Sequence, residues 1–194
     1  RDSRAEGSGP MNMEPVRFGV IGCGLMGREF ASVSMRWLHL ACELPRPVIV
    51  AACDLSPKNL DWFRQVPDTK YFYSDYHELL ANPEVEAVYC AVPHHLHAQV
   101  YGDVIRAGKH LIGEKPFGMD LAACEEVEAA MAGRPEVFVR CASEFPFYPA
   151  VQQMVKWYRE GAFGQIIEAR FAIKHSSDMD LAKPINWKRM RAAN

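Results

Sequence analysis

An apolar segment near the start of the chain ends in three glycines with the spacing Gly-x-Gly-x-x-Gly. The segment is Val16–Ile21, and the glycines are Gly22, Gly24 and Gly27. A buried strand that turns directly into a helix needs all three, because Gly22 allows the bend, Gly24 lets the backbone approach a pyrophosphate, and Gly27 lets helix and strand pack closely. Free N–H groups at the start of such a helix favour phosphate groups. The sequence predicts that Gly22, Cys23, Gly24, Leu25, Met26 and Gly27 bind a dinucleotide.

Glycines are also common in turns that bind no ligand, so the segments that follow are needed to decide whether this turn binds a dinucleotide. A second apolar segment, Val48–Cys53, ends in Asp54, where a carboxylate accepts hydrogen bonds from ribose hydroxyls. Asp54 comes later than the usual distance of about 20 residues, and residues 40–47 look like an insertion that explains the delay. The carboxylate repels a 2′-phosphate, whereas Lys58 can reach one. We predict NAD as the cofactor, with NADP possible.

Strand and helix patterns alternate along most of the chain. Apolar segments at 16–21, 48–53, 71–73, 85–92, 110–114 and 137–142 predict strands, with helical patterns between them. Short links between such segments predict an α/β fold, a doubly wound parallel Rossmann sheet with helices on both faces. Beyond residue 143 an amphipathic helix and an alternating strand at 165–173 are too little to close a core. We predict a tag or disordered tail at 1–14, a dinucleotide-binding domain at 15–143, and an incomplete second α/β domain at 144–194.

Composition excludes several classes of protein. A hydrophobic share of 49% excludes a disordered chain, and a net charge of −2 gives no electrostatic reason to bind nucleic acid or an anionic membrane. No apolar run is long enough to cross a membrane, and the start lacks the order of a signal peptide. Six cysteines without a C-x-x-C pair indicate reduced thiols and a cytoplasmic protein. Cys23 is either a thiolate stabilised at a helix start or a small side chain in a turn.

Charged and histidine side chains cluster between Val92 and Gly118. Glu114 and Lys115 come at the carboxyl end of a predicted buried strand, the edge where ligands bind in such sheets. The pair is either a functional site or a salt bridge between the two side chains. Three nearby histidines, His94, His95 and His97, cannot all face one ion from a helix start, so we predict no metal and expect them to line a loop or the cofactor.

Taken in order, these segments resemble the Gfo/Idh/MocA oxidoreductases, which act mostly on sugars and cyclitols. The resemblance covers Val16 to about Trp187, and the segments that carry it are the glycine turn, Asp54, Pro93 with His97, Ala107–His110, Glu114–Lys115–Pro116, Pro149–Val151, Gly161, Gly164 and Asn186–Trp187. It implies that Glu114 and Lys115 border the nicotinamide, with Lys115 as the catalytic group at the substrate hydroxyl. It also implies that Pro93, His94 and His97 line the cofactor near the nicotinamide ribose.

The resemblance leaves parts of the family pattern unmatched. Many members carry an arginine where this chain has Pro146, and members carry further acid/base residues, typically an Asp and a His, in a second domain past the position of Asn194. It also implies a homo-oligomer in the full-length form. Impaired turnover is therefore expected of this short form.

Two functions from different classes follow. The first is an NAD(P)-dependent oxidoreductase that transfers a hydride between the nicotinamide and a secondary alcohol of a sugar or cyclitol. The second is a dinucleotide-binding sensor or regulatory protein without catalysis. An intact Glu114–Lys115–Pro116 segment favours the enzyme, because a sensor does not need a lysine at the hydride site.

Overall fold

A computed structural model of the chain describes residues 13–40, 44–172, 174 and 182. Most of the predicted tag or tail, Cys42 in the predicted insertion, and the family positions Asn186–Trp187 lie outside the described residues.

The chain forms a parallel sheet whose order is that of a doubly wound fold. The strands are β1 (Val16–Ile21), β2 (Pro47–Cys53), β3 (Tyr71–Tyr73), β4 (Ala87–Cys90), β5 (His110–Gly113) and β6 (Val139–Cys141). Their order across the sheet is β3-β2-β1-β4-β5-β6, and every neighbouring pair is parallel. The sheet therefore grows in one direction from β1 to β3 and then reverses to place β4 beside β1. The predicted Rossmann architecture is confirmed.

Helices connect the strands. They are α1 (Leu25–Met35), α2 (Pro57–Phe63), α3 (Tyr76–Ala81), α4 (His97–Arg106), α5 (Leu121–Ala132) and α6 (Pro149–Arg159), with 3₁₀ turns at Trp37–His39, His94–Leu96 and Phe145–Phe147. The carboxylate of Asp75 caps α3 by accepting a hydrogen bond from the backbone N–H of His77 at 2.9 Å. Gly108, with φ +72°, follows α4 and turns the chain into β5.

The sheet is buried on both sides, as continuous apolar strands require. Val20, Ala51, Val88 and Leu111 are fully buried at its centre. Helix α4 packs against α5 and β5 and contributes Val104, Ile105 and Tyr101 to the same core. Burial of this kind supplies most of the favourable free energy of folding, so the sheet is a rigid base for the loops at its ends.

The register of the strands places their carboxyl ends in one row. Ile21 of β1 pairs with Cys53 of β2 and with Cys90 of β4, and Cys90 pairs with Gly113 of β5. Residues one step beyond this row continue the hydrogen bonding, since the N–H of Gly22 donates to the carbonyl of Cys53 and the N–H of Glu114 donates to that of Cys90. The predicted site segments therefore begin side by side at one edge of the sheet.

The chain divides into two compact units, Arg1–Cys141 and Ala142–Asn194. The second unit contains α6, which begins at Pro149 because proline suits the first position of a helix. The strand predicted at 165–173 is wrong for its described residues, 165–172, which form no strand. Alternation marks a face for burial but supplies no partner strand, and Ile167 and Phe171 are 96% and 81% exposed. That this unit begins a substrate domain stays a prediction.

Within the described ranges, we find no helix with the length and apolarity that crossing a membrane requires.

Candidate functional site

The glycine turn between β1 and α1 has the geometry that its sequence predicts. Gly22 has φ +92°, and a Cβ atom there would lie 2.5 Å from the carbonyl oxygen of Ala91. A Cβ on Gly27 would lie 2.3 Å from the carbonyl oxygen of Gly22, so the helix approaches the turn as closely as glycine permits. The bend at Gly22 and the close packing at Gly27 are confirmed.

Space around Gly24 suits a phosphate group. A Cβ on Gly24 would meet no atom within 4 Å, and this residue caps α1 without a side-chain hydrogen bond. The first N–H groups of a helix have no acceptor within the helix, so those of α1 are available to a diphosphate. Leu25 and Met26 follow at the open start of the helix and are 70% and 39% exposed. Contact between this turn and a dinucleotide stays a prediction, and the geometry fits it.

Asp54 is tied directly to the glycine turn. Its Oδ2 accepts hydrogen bonds from the backbone N–H of Cys23 at 2.8 Å and from Nδ2 of Asn59 at 3.1 Å. Its Oδ1 accepts one from the backbone N–H of Ser56 at 2.7 Å. Two loops of the sheet edge are thus joined through one half-buried carboxylate, which retains capacity to accept from a further donor such as a ribose hydroxyl.

Cys23 is an inert buried residue. Its side chain is fully buried, and its Sγ donates to the carbonyl oxygen of Cys53 at 3.5 Å. Burial raises the pKa of the Cys23 thiol far above its usual range, and the nearby carboxylate of Asp54 raises it further. The alternative of a stabilised thiolate at the helix start is therefore wrong, because desolvation outweighs the helix dipole here.

Glu114 and Lys115 do not form a salt bridge with each other. Oε1 of Glu114 accepts a hydrogen bond from the Tyr89 hydroxyl at 2.7 Å, and its Oε2 accepts one from the backbone N–H of Lys115 at 3.2 Å. The Glu114 side chain is buried, whereas Lys115 is exposed and its Nζ has no partner among the described residues. Of the two alternatives, a salt bridge within the pair is the one that the structure contradicts.

His97 is enclosed by backbone rather than open to solvent. The residue is 1% exposed, with Nδ1 at 2.7 Å from the carbonyl oxygen of Pro116 and Nε2 at 3.0 Å from that of Val92. Its ring stacks on Tyr101 with centroids 4.7 Å apart. Burial lowers the pKa of His97, and the two carbonyl acceptors only partly oppose this. His97 therefore joins the loop after β4 to the loop after β5, which makes it a positioning residue.

This burial predicts a loss of stability in acid. An unfolded histidine takes up a proton below about pH 6.5, whereas folded His97 resists it, so the unfolded chain binds more protons and the free energy of unfolding falls as pH drops through this range. We expect this residue to contribute a slope of up to about 1.4 kcal/mol per pH unit as pH falls below about 6.5. Urea unfolding measured across that range should show the slope reduced in His97→Asn and unchanged in His95→Asn, an exposed neighbour. Equal slopes in all three proteins would contradict the assignment.

The remaining predicted residues lie on the loop between β4 and α4. Pro93 precedes the 3₁₀ turn that contains His94 and His95, and the His94 ring lies 5.5 Å from that of His97. Pro93 and His94 are half-buried, so each has surface available to a ligand. The described residues contain no group of three His, Cys, Asp or Glu side chains arranged to hold a metal ion.

Sequence reasoning missed two tyrosines that build the site. Tyr89 holds the Glu114 carboxylate, and its ring stacks on Phe30 of α1 with centroids 4.2 Å apart. Tyr101 of α4 donates its hydroxyl proton to the Glu114 carbonyl oxygen at 2.7 Å. The detectable signal was a tyrosine near the carboxyl end of an otherwise aliphatic strand, since a buried hydroxyl needs a partner.

A separate cavity of about 240 Å³ lies at the opposite, amino edge of the sheet. It is lined by Met35, Trp37, Pro47 and Val66 among others, and Arg46 and Asp68 pair beside it. None of the predicted site residues borders it, so it has no part in the site described above.

A parallel sheet that reverses between β1 and β4, with a glycine turn at the reversal and an acidic residue after β2, defines a dinucleotide-binding Rossmann domain. Residues 16–140 match the oxidoreductase family Gfo/Idh/MocA, described as an NAD-binding Rossmann fold, and the chain belongs to this family. The resemblance found in the sequence is confirmed.

Individual relatives agree with this assignment. Levoglucosan dehydrogenase of Pseudarthrobacter phenanthrenivorans is 27% identical over 181 residues, which cover 91% of this chain and 45% of the relative. Human trans-1,2-dihydrobenzene-1,2-diol dehydrogenase is 31% identical over 159 residues, covering 80% and 45%. A solved structure of levoglucosan dehydrogenase in complex with NADH and L-sorbose superposes with a TM-score of 0.72 and 25% identity, covering 79% of this chain and 41% of that one. The chain spans less than half the length of these relatives.

Proposed function

We propose that this chain is the dinucleotide-binding part of an NAD(P)-dependent oxidoreductase that acts on a secondary alcohol of a sugar or cyclitol. The observation that carries the proposal is the shared edge of the sheet, where the glycine turn follows β1 and the Asp54 carboxylate follows β2. Lys115, whose Nζ has no partner among the described residues, follows β5 at the same edge. Relatives named as levoglucosan and dihydrodiol dehydrogenases support the substrate class.

Different residues of the site bind different parts of the dinucleotide. The first N–H groups of α1 receive the diphosphate, with Gly24 leaving room for it. Asp54 accepts from the adenosine ribose. His97 and the two tyrosines that contact Glu114 fix the loops after β4 and β5, so that Pro93, His94 and Lys115 are held at the nicotinamide end.

Lys115 accepts the proton of the substrate hydroxyl group. When bound, NAD supplies the hydride acceptor, at C4 of the nicotinamide. As the alcohol carbon loses hydride and becomes a carbonyl, its hydroxyl proton passes to the uncharged amine form of Lys115, which becomes the ammonium, and the reverse reaction returns the proton to the substrate oxygen. Lys115 is suited to this because its side chain is exposed and makes no contact with a described residue that it would have to give up.

The proposed function also implies a localisation, a set of ligands and an oligomeric state. We propose a cytoplasmic protein whose ligands are a dinucleotide and a polyol or sugar, and a homo-oligomer when its second domain is complete. We also propose that residues 144–194 begin that domain.

Titration with NADH, followed by nucleotide fluorescence, tests binding, and a panel of inositols and aldoses tested for NADH formation identifies turnover. Tight binding without turnover, also in a polypeptide extended past Asn194 to the length of the relatives, would favour the non-catalytic sensor. Absence of NADH binding would overturn both functions.

Asp54 offers a direct test of the adenosine end. Asp54→Ala should weaken NADH binding about tenfold or more, because the ribose hydroxyls lose their acceptor and the backbone N–H of Cys23 in the glycine turn loses its hydrogen bond to the Asp54 carboxylate. Asp61→Ala is the matched control, since Asp61 lies on α2 but is exposed and, among the described residues, forms an ion pair with Arg64 on the surface. Equal NADH affinity in the two variants would contradict the role of Asp54.

A further inference from the structure

Arg28 places a positive charge beside the predicted adenosine ribose site. It directly follows Gly27 in α1, and its Nη2 donates to Oδ1 of Asn59 at 3.2 Å. The guanidinium carbon lies 5.1 Å from the centroid of the Trp62 ring, so the side chain is held by two residues of α2. Its Nε is buried and has no hydrogen-bond partner among the described residues.

Two hydrogen bonds connect Arg28 to the carboxylate of Asp54, the residue proposed to bind the ribose. Asn59 accepts from Arg28 with its Oδ1 and donates with its Nδ2 to Oδ2 of Asp54 at 3.1 Å. Arg28 is therefore separated from Asp54 by one side chain. The carboxylate itself is held by three N–H donors, those of Cys23, Ser56 and Asn59.

These contacts change the expected selectivity for the nucleotide. An isolated carboxylate at this position repels a 2′-phosphate, but here three N–H groups donate to the carboxylate and a guanidinium lies one side chain away from it. Among the described residues the guanidinium donates one hydrogen bond, from Nη2 to Asn59, so its other outer N–H groups are left to donate to a phosphate oxygen. Lys58, at the start of α2, is exposed, and no contact with a described residue holds it toward the site.

We propose that Arg28 binds the 2′-phosphate of NADP, so that this chain accepts NADP as well as NAD. Asp54 serves the ribose hydroxyls of NAD, and Arg28 determines how well the phosphorylated nucleotide competes. This inference rests on the proposed function, since it concerns the same dinucleotide site.

Parallel titrations of the chain with NADPH and NADH test whether Arg28 binds the 2′-phosphate. We expect wild type to bind both, with dissociation constants within about tenfold of each other. Arg28→Gln should weaken NADPH at least about tenfold and leave NADH within about threefold, because only the 2′-phosphate loses a charged partner. Lys58→Gln, which removes one charge from the start of α2, should leave both affinities within about threefold.

A second measurement does not depend on any variant folding. The wild-type affinity for NADPH should fall more steeply with added salt than that for NADH, because one more ionic contact is screened. Normal NADH binding with no NADPH binding, equal losses of both in Arg28→Gln, or identical salt dependence would each overturn the assignment of Arg28. Failure of wild type to bind either nucleotide would instead overturn the proposed function, and this inference with it.

Discussion

Replacing Lys115 with methionine is expected to lower kcat by about 10³-fold while leaving NADH affinity within about threefold. The side chain is exposed and its Nζ has no partner in the described part of the chain, so its removal leaves no buried group unsatisfied and no contact of the fold broken. Methionine keeps most of the aliphatic stem and removes the proton acceptor. Turnover is measured as NADH formation from the polyol that the panel identifies, in this chain or in a polypeptide of the relatives' length.

Lys115→Arg separates the two ways in which the lysine can act. Arginine keeps the positive charge but cannot give up its proton at working pH, so a proton-accepting role predicts a loss as large as that of methionine. Activity retained in Lys115→Arg would show that charge alone matters. NADH affinity falling together with turnover in Lys115→Met would show that Lys115 mainly holds the cofactor.

The order of elements was predictable because each depends on local pattern. The bounds of β1 and β3 agree with prediction, since an apolar run ends where a glycine bend or a polar turn begins. Strand β4 is shorter than the predicted 85–92, because its paired register with β1 runs only from Ala87 opposite Phe18 to Cys90 opposite Ile21. The strand at 165–173 fails for the same reason, since alternation does not reveal whether a partner exists.

Site residues were placed at the correct edge, but their contacts were not predictable. Parallel strands bring their carboxyl ends together, so Gly22, Asp54 and Glu114 could be grouped from the element order alone. Nothing in the sequence shows that carbonyls from two separate loops, Val92 and Pro116, meet one histidine ring. Such contacts depend on three-dimensional distances between segments that are remote along the chain.

The two later glycines of the turn should respond differently to the same substitution. Gly27→Ala is expected to lower the free energy of unfolding by about 3 kcal/mol or more, because its Cβ would lie 2.3 Å from the Gly22 carbonyl oxygen and only a backbone shift relieves that contact. Gly24→Ala should change it by less than about 1 kcal/mol, since φ is −71° and no atom lies within 4 Å of the added methyl group. Urea unfolding of both variants gives the comparison.

Gly24→Ala, which is expected to change the stability little, should have a large effect on nucleotide binding. The methyl group of Gly24→Ala occupies the space proposed for the pyrophosphate, so we expect NADH affinity to fall about 100-fold in a protein that remains folded. Gly133→Ala is the matched control, because Gly133 has φ −77° at the end of α5 and its added Cβ would make ordinary contacts far from the turn along the chain. If Gly24→Ala and Gly133→Ala bound NADH equally well, the diphosphate would not approach the turn at Gly24. If Gly27→Ala were as stable as wild type, the close approach of α1 to the turn would not be what requires glycine there.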